Sequence, residues 1–106
     1  MKANATPSVR KQHLPDPEIS ACIDLLAEAF PKCFYVWEQR RQPLKINIHE
    51  DILTRLAGVI TRREIRAALG RYTNNKIYQR RLRAGAIRFD LDGQPAGTVS
   101  AKETAS

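Results

Sequence analysis

Ile19, Cys22, Ile23, Leu26 and Phe30 recur at intervals of three and four, which predicts a helix over about 17–29 with that face buried. Asp16 is placed to cap it, Pro17 suits the first helical position, and Pro31 ends it. Phe34, Tyr35 and Trp37 read as core-filling aromatics, with Trp37 reaching part-way to the surface, and 38–42 reads as a loop. Leu44, Ile46 and Ile48 then alternate with Lys45 and Asn47, the period of a short half-buried strand or extended segment. Asn47 with Glu50 resembles a capping pair for a helix whose apolar side is Ile52, Leu53 and Leu56 and whose stop is Gly58.

Thr61 and Glu64 have capping-box spacing, and Ile60 and Ile65 flank them as a hydrophobic staple. Ile65, Ala68, Leu69 and Tyr72 carry a helix to 72 or 73, and Asn74-Asn75 breaks it. Ile87, Phe89 and Leu91 alternate with Arg88 and Asp90, and the Asp92-Gly93 pair that follows is a strong hairpin signal. Pro95 puts the return strand at an edge or makes it irregular. The pattern is α+β, compact and mainly helical with one short β-hairpin. It divides into a flexible basic arm (1–15), one folded domain (16–100) and a loose tail (101–106).

At 106 residues and 42% apolar content the chain suits one soluble domain. It has neither the apolar run of roughly 18 residues that a membrane span needs nor the apolar core of an export signal. The expectation is a cytoplasmic monomer without a membrane partner. Cys22 and Cys33 then read as reduced structural thiols rather than a disulfide, and neither they nor His13 and His49 have metal-ligand spacing. No serine–histidine–acid set, glycine-rich phosphate loop or paired-carboxylate motif is present, so no enzyme and no cofactor is expected.

Charge changes the picture more than composition does. The net charge is +7, yet nine basic residues and one acid, Glu64, fall between Ile60 and Phe89, while the rest of the chain is close to neutral. Such segregation suits a polyanionic partner. On the wheel of the 61–73 helix, Arg62, Arg66 and Arg63 share one flank, and Gly70 leaves that flank open. That flank is either plain solvated surface or a binding face. Arg62 and Arg63 stand at the positive end of the helix dipole, where bases are mildly unfavourable. With the Thr61 hydroxyl and the free amides they describe an anion site. Lys76, Arg80, Arg81 and Arg83 then bracket Tyr78, an interleaving of cations and a ring that suits single-stranded nucleic acid, unless Tyr78 is simply core. Arg88 shares a strand face with Asp90, which makes either a surface ion pair or a guanidinium that Asp90 aims at a ligand.

LAEAFPKCF, PLKINIHEDI, REIRAALGRYT, Tyr78 and GAIRFDLDGQPAG, in this order and spacing, resemble the FinO/ProQ-domain family of bacterial RNA-binding proteins, from about Ile19 to Gly97. Asn47 stands where a glycine would be familiar, and Gly70 where another base can stand. The resemblance implies a FinO/ProQ-like domain with a concave basic face that binds structured RNA: small RNAs and mRNA 3′ ends, as terminator-type hairpins with a single-stranded 3′ tail. It implies stabilisation of such RNAs and promotion of RNA–RNA pairing. Lys45, Arg62, Arg66, Tyr78 and Arg88 match its RNA-binding face. With Thr61, Arg63, Arg80 and Arg81 they are the candidate RNA-binding residues, and on this reading replacing Tyr78 or Arg88 weakens binding without changing stability. Two other classes fit the residues. One is a DNA-binding helix-turn-helix regulator using the helices at about 49–57 and 61–73. The other is a module whose basic face meets an acidic protein.

Overall fold

A computed structural model describes residues 14–104. The arm expected over 1–15 and the end of the tail therefore fall mostly outside the described residues. Leu14 and Pro15 already belong to the domain: Leu14 packs on the core and the Pro15 carbonyl accepts from the amides of Glu18 and Ile19. The first helix, α1, is Asp16–Ala29. Pro15, not Asp16, is its N-cap, and no side chain caps it. Asp16 and Glu18 sit in the first turn, where the dipole favours acids. Ile19, Cys22, Ile23 and Leu26 are buried as their spacing predicts.

After a 3-10 turn at Glu38–Arg40 come α2 (Ile48–Arg55), α3 (Arg62–Thr73) and α4 (Lys76–Arg81). The hairpin of β1 (Ile87–Phe89) and β2 (Pro95–Thr98) follows. It is antiparallel, with Ile87 opposite Thr98 and Phe89 opposite Pro95, and irregular in between. The predicted capping box at Thr61 and Glu64 is present, and Ile60 and Ile65 on either side of it are buried. α3 packs against both α1 and α2, and puts Ile65, Ala68 and Tyr72 into the core.

The centre of the fold is a buried cation. Arg41 lies with its guanidinium carbon 4.1 Å from the centroid of the Tyr72 ring. It donates to the carbonyls of Tyr35, Val36 and Tyr72, each at 2.9 Å. The Tyr72 hydroxyl accepts from the Tyr35 amide at 2.8 Å, and the Phe34 ring meets Tyr72 edge-on. A charge this buried is tolerated because its N–H groups are satisfied and a ring face covers it. Arg41 falls inside what reads as the 38–42 loop; its only sequence signal is a charge among charges.

Several local expectations need correction. Residues 43–48 do not form a strand: Leu44 makes one isolated parallel bridge to Phe89, and Ile46 is exposed. The alternation fails because Asn47 turns the chain at φ 64° and Ile48 already opens α2. Asn47 makes no side-chain cap. Asparagine is among the few residues that tolerate that conformation, which explains why it can stand where a glycine is familiar. Trp37 is 72% exposed and is not core. The tail is not loose at its start, since Ala101–Glu103 form a 3-10 turn with its own capping box at Ser100 and Glu103. Cys22 and Cys33 are buried free thiols, and burial, reinforced by Asp90 and Asp92, pushes the Cys33 thiol up to about 12.

The hairpin turn docks on the chain after α1. Gly93 has φ 78°, and a Cβ there would lie 2.9 Å from both the Cβ and the carbonyl oxygen of Lys32. Gly93→Ala is therefore expected to lower stability by about 1–3 kcal/mol in urea unfolding. Gly97→Ala, also at positive φ but with open space around the added carbon, pays the backbone term alone. Equal effects of the two would show that the Lys32 contact does not matter.

Candidate functional site

Two features of α3 and α4 shape the site. Asn75 ends the first helix and starts the second: its Nδ2 donates to the Tyr72 carbonyl at 3.0 Å, and its Oδ1 accepts from the Tyr78 amide at 2.7 Å. This capped corner directs Tyr78 inward, where it is 4% exposed. Its hydroxyl accepts from the Leu44 amide at 3.1 Å, and its ring meets Tyr72 edge-on. Burial raises the Tyr78 phenol above its ordinary value.

Arg88 comes from the opposite side. The alternation in β1 is the reverse of what apolarity predicts: Arg88 is buried, and Ile87 is 47% exposed. Arg88 Nη1 donates to the Leu44 carbonyl at 2.8 Å and Nη2 meets Glu103 at 3.3 Å. Tyr78 and Arg88 thus hold the amide and the carbonyl of one residue. Asp90 does not orient Arg88; its Oδ1 accepts from the amides of Asp92 and Gln94 and shapes the hairpin turn. Burying Arg88 satisfies a carbonyl that Ile87 could not reach, which is why the charged residue faces inward. Its Nε is nonetheless buried without a partner.

Lys45, Tyr78, Arg88, Leu69, Gly70 and Thr73 border one hollow of about 300 Å³. Arg66 and Arg62 lie one and two turns back from Gly70 along α3, so helix geometry puts them in a stripe leading to it. Both are exposed. Lys45 is paired with Asp51 at 2.7 Å, and Arg62 with Glu50 at 3.1 Å. Both acids stand in the first turn of α2. The hydrogen bond from Arg62, then its charge, holds the Glu50 carboxyl below its usual range, and His49 adds to this.

The helix start is not the open anion site that the residues suggest. The Thr61 hydroxyl accepts from the Glu64 amide at 3.1 Å, and the Glu64 carboxylate takes the Thr61 amide at 2.9 Å. A carboxylate thus stands where a phosphate would have to sit, and Thr61 is a structural cap. Arg63 is exposed beside it. Arg80 and Arg81 do not border the hollow with Tyr78. They line a separate, larger groove of about 890 Å³ with Ile77, Arg83, Ile87 and Phe89. Tyr78 is accordingly a core residue with an edge on the hollow, not an exposed stacking platform. Among the described residues no cluster of three histidines, cysteines or acids could hold a metal ion, and no helix is long and apolar enough to cross a membrane.

Fold and hollow together define a small helical domain with a clamped β-hairpin and a hollow bordered by Lys45 and Arg88. The family model described as ProQ/FINO matches residues 17–106, and the chain belongs to that family. It is 42% identical over 84 residues to the RNA chaperone ProQ of Shewanella amazonensis, covering 77% of this chain and 38% of that protein. To the RNA chaperone ProQ of Haemophilus influenzae it is 41% identical over 87 residues, which are 80% of this chain and 44% of the other. The chain thus spans less than half the length of these relatives. The solution structure of a ProQ homolog from Legionella pneumophila superposes with a TM-score of 0.71 at 25% identity, over 87% of this chain and 79% of that one. The crystal structure of a FinO-like RNA chaperone from Neisseria meningitidis has the same fold, with a TM-score of 0.67 at 23% identity, over 92% and 77% of the two chains.

Because the Tyr78 hydroxyl serves the Leu44 amide, Tyr78→Phe is expected to cost about 1–3 kcal/mol of stability, the penalty of a buried amide left unpaired. Arg88→Ala orphans the Leu44 carbonyl and should also lower the unfolding midpoint. This reverses the expectation from sequence that both are stability-neutral. Denaturant unfolding of the two variants decides; unchanged midpoints would mean that neither side chain holds Leu44.

Proposed function

We propose that this chain is an RNA-binding domain acting as an RNA chaperone. It takes a terminator-type hairpin with a single-stranded 3′ tail, stabilises it and promotes its pairing with a second RNA. The targets are small RNAs and mRNA 3′ ends, and no catalysis is involved. The observation that carries the reading is one hollow bordered by Lys45, Tyr78 and Arg88, with the exposed Arg62 and Arg66 leading to it along α3. A lysine on the edge of a hollow and a cationic stripe leading to it suit an anion. The family's named relatives are RNA chaperones, which gives that anion its chemistry.

The roles follow from exposure. Lys45, Arg62 and Arg66 supply phosphate contacts that come and go, since exposed ion pairs such as Lys45–Asp51 and Arg62–Glu50 are worth only about 0–1 kcal/mol and a phosphate can displace the acid. Tyr78 and Arg88 shape the floor. A hairpin stem is read by its backbone, and a free tail end can enter a hollow that a continuous duplex cannot.

Gel shifts with a terminator hairpin carrying its tail, the same hairpin without it, and duplex DNA test the proposal. The tailed hairpin should bind most tightly, with an affinity that falls steeply as salt rises. Equal affinity for duplex DNA would abandon it in favour of a DNA-binding regulator. Lys45→Ala should weaken the tailed hairpin by about 1.5 kcal/mol, roughly tenfold, at an unchanged unfolding midpoint. Asp51→Asn, which releases Lys45, should tighten binding up to about fivefold, the worth of an exposed pair. Weaker binding after Asp51→Asn would mean that the pair positions Lys45 rather than competing for it.

A further inference from the structure

The groove that holds Arg80 and Arg81 is the feature the hollow does not absorb. Three segments meet there, and each alternates between the two sites. In the connecting chain Pro43 faces the groove, while Leu44 and Lys45 border the hollow. In α4 Ile77 and Tyr78 divide the same way, and in β1 Ile87 and Phe89 border the groove while Arg88 borders the hollow. The chain from 43 to 45, β1 and α4 therefore form a wall with a cationic site on each face.

The groove has its own chemistry. Its apolar surface comes from Ile77, Ile87 and Phe89, with Pro43 buried beneath, and its charge from Arg80, Arg81 and Arg83. No acid lines it. Arg81 is partly committed, donating to the Gln39 carbonyl at 2.6 Å. Arg80 and Arg83 are exposed, and among the described residues neither makes an ion pair. This differs from the hollow, whose lysine is held by a carboxylate.

We infer that this groove binds a single-stranded RNA segment other than the one in the hollow, so that the domain holds two strands on opposite faces of one wall. The inference rests on the RNA-binding reading above and adds a second strand to it. Uncompensated guanidinium groups on a rim call for phosphates, and an apolar floor calls for unstacked bases. A duplex keeps its bases inside and would meet only the rim, so the floor selects a single strand.

The test loads the protein with excess unlabelled tailed hairpin and then titrates a fluorescein-labelled unstructured oligoribonucleotide of about a dozen residues. Anisotropy should report binding to the loaded protein. The double variant Arg80→Ala/Arg83→Ala should lose about tenfold or more of that affinity. Its plot of log affinity against log salt should flatten by about 1.4, since each lost single-strand phosphate contact removes about 0.7. Hairpin affinity should stay within about twofold, and Lys45→Ala should show the opposite selectivity. Arg81 is left in place because it also holds the Gln39 carbonyl.

Parallel loss of hairpin and oligonucleotide in the double variant would mean one continuous surface and overturn the inference. So would competition, in which the hairpin displaces the oligonucleotide. An oligonucleotide that never binds, with an acidic amphipathic peptide binding in an Arg80- and Arg83-dependent way, would make the groove a protein site and overturn it too. Failure of the wild type to bind the hairpin sinks the preceding proposal instead. The groove is then judged by oligonucleotide binding to the unloaded protein, with the same double variant.

Discussion

The contact between Arg41 and Tyr72 is the constraint on which the rest depends. Three carbonyls and a ring face hold one guanidinium in the interior, and those carbonyls come from both the 35–36 segment and the end of α3. The chain that leaves Arg41 must therefore start from a fixed point above α3. Three residues on, Leu44 is gripped at its amide by Tyr78 and at its carbonyl by Arg88. A buried charge costs several kcal/mol unless each donor is met, so this anchor tolerates no nearby alternative geometry. What it fixes is the wall that both cationic sites share.

Elements set by local rules were legible in the sequence. The Thr61–Glu64 box, the α1 and α3 faces and the Asp92-Gly93 turn depend on residues within four of each other, and all three form. What could not be read depends on long-range partners. Arg41 looks like any loop arginine until Tyr72, thirty-one positions away, supplies a carbonyl and a ring. The face of β1 was inverted because apolarity predicts Ile87 inward, whereas the unmet carbonyl of Leu44 draws in Arg88. The period-two pattern of 43–48 was broken by one left-handed asparagine, and the residue type alone does not reveal that φ. The candidate site residues do not gather in one place. Lys45, Tyr78 and Arg88 came together, Thr61 turned out to be a cap, and Arg80 and Arg81 went to the other face.

The segregated charge also divides by task. Arg71 reaches Asp16 at 2.6 Å and ties α3 to the start of α1, while Arg55 reaches Asp92 at 2.7 Å and ties α2 to the hairpin turn. Arg41 and Arg88 are buried and hold backbone. Counting bases therefore overstates the charge open to a polyanion. The cations left at the surface lie mainly on the α3 stripe, where the Arg62–Glu50 pair is cheap to break, and around the groove, where Arg80 and Arg83 make no ion pair among the described residues.

A two-sided wall follows from ordinary strand and helix geometry. Side chains alternate along an extended segment, so a short piece with a site on each side presents different residues to the two. Most proteins cover one of those faces with another layer. Here β1 is three residues long, the segment before α2 is bridged to it at one position, and the hollow side is the covered one, with Leu44, Tyr78 and Arg88 buried. The groove side is left open and exposes Ile87, a cost that a ligand in the groove would offset. The same shortness keeps the two sites close, since the adjacent residues Ile87 and Arg88 border different sites. Strands held that near would face each other across a single layer of protein, and their meeting would need only the free ends to pass its edge.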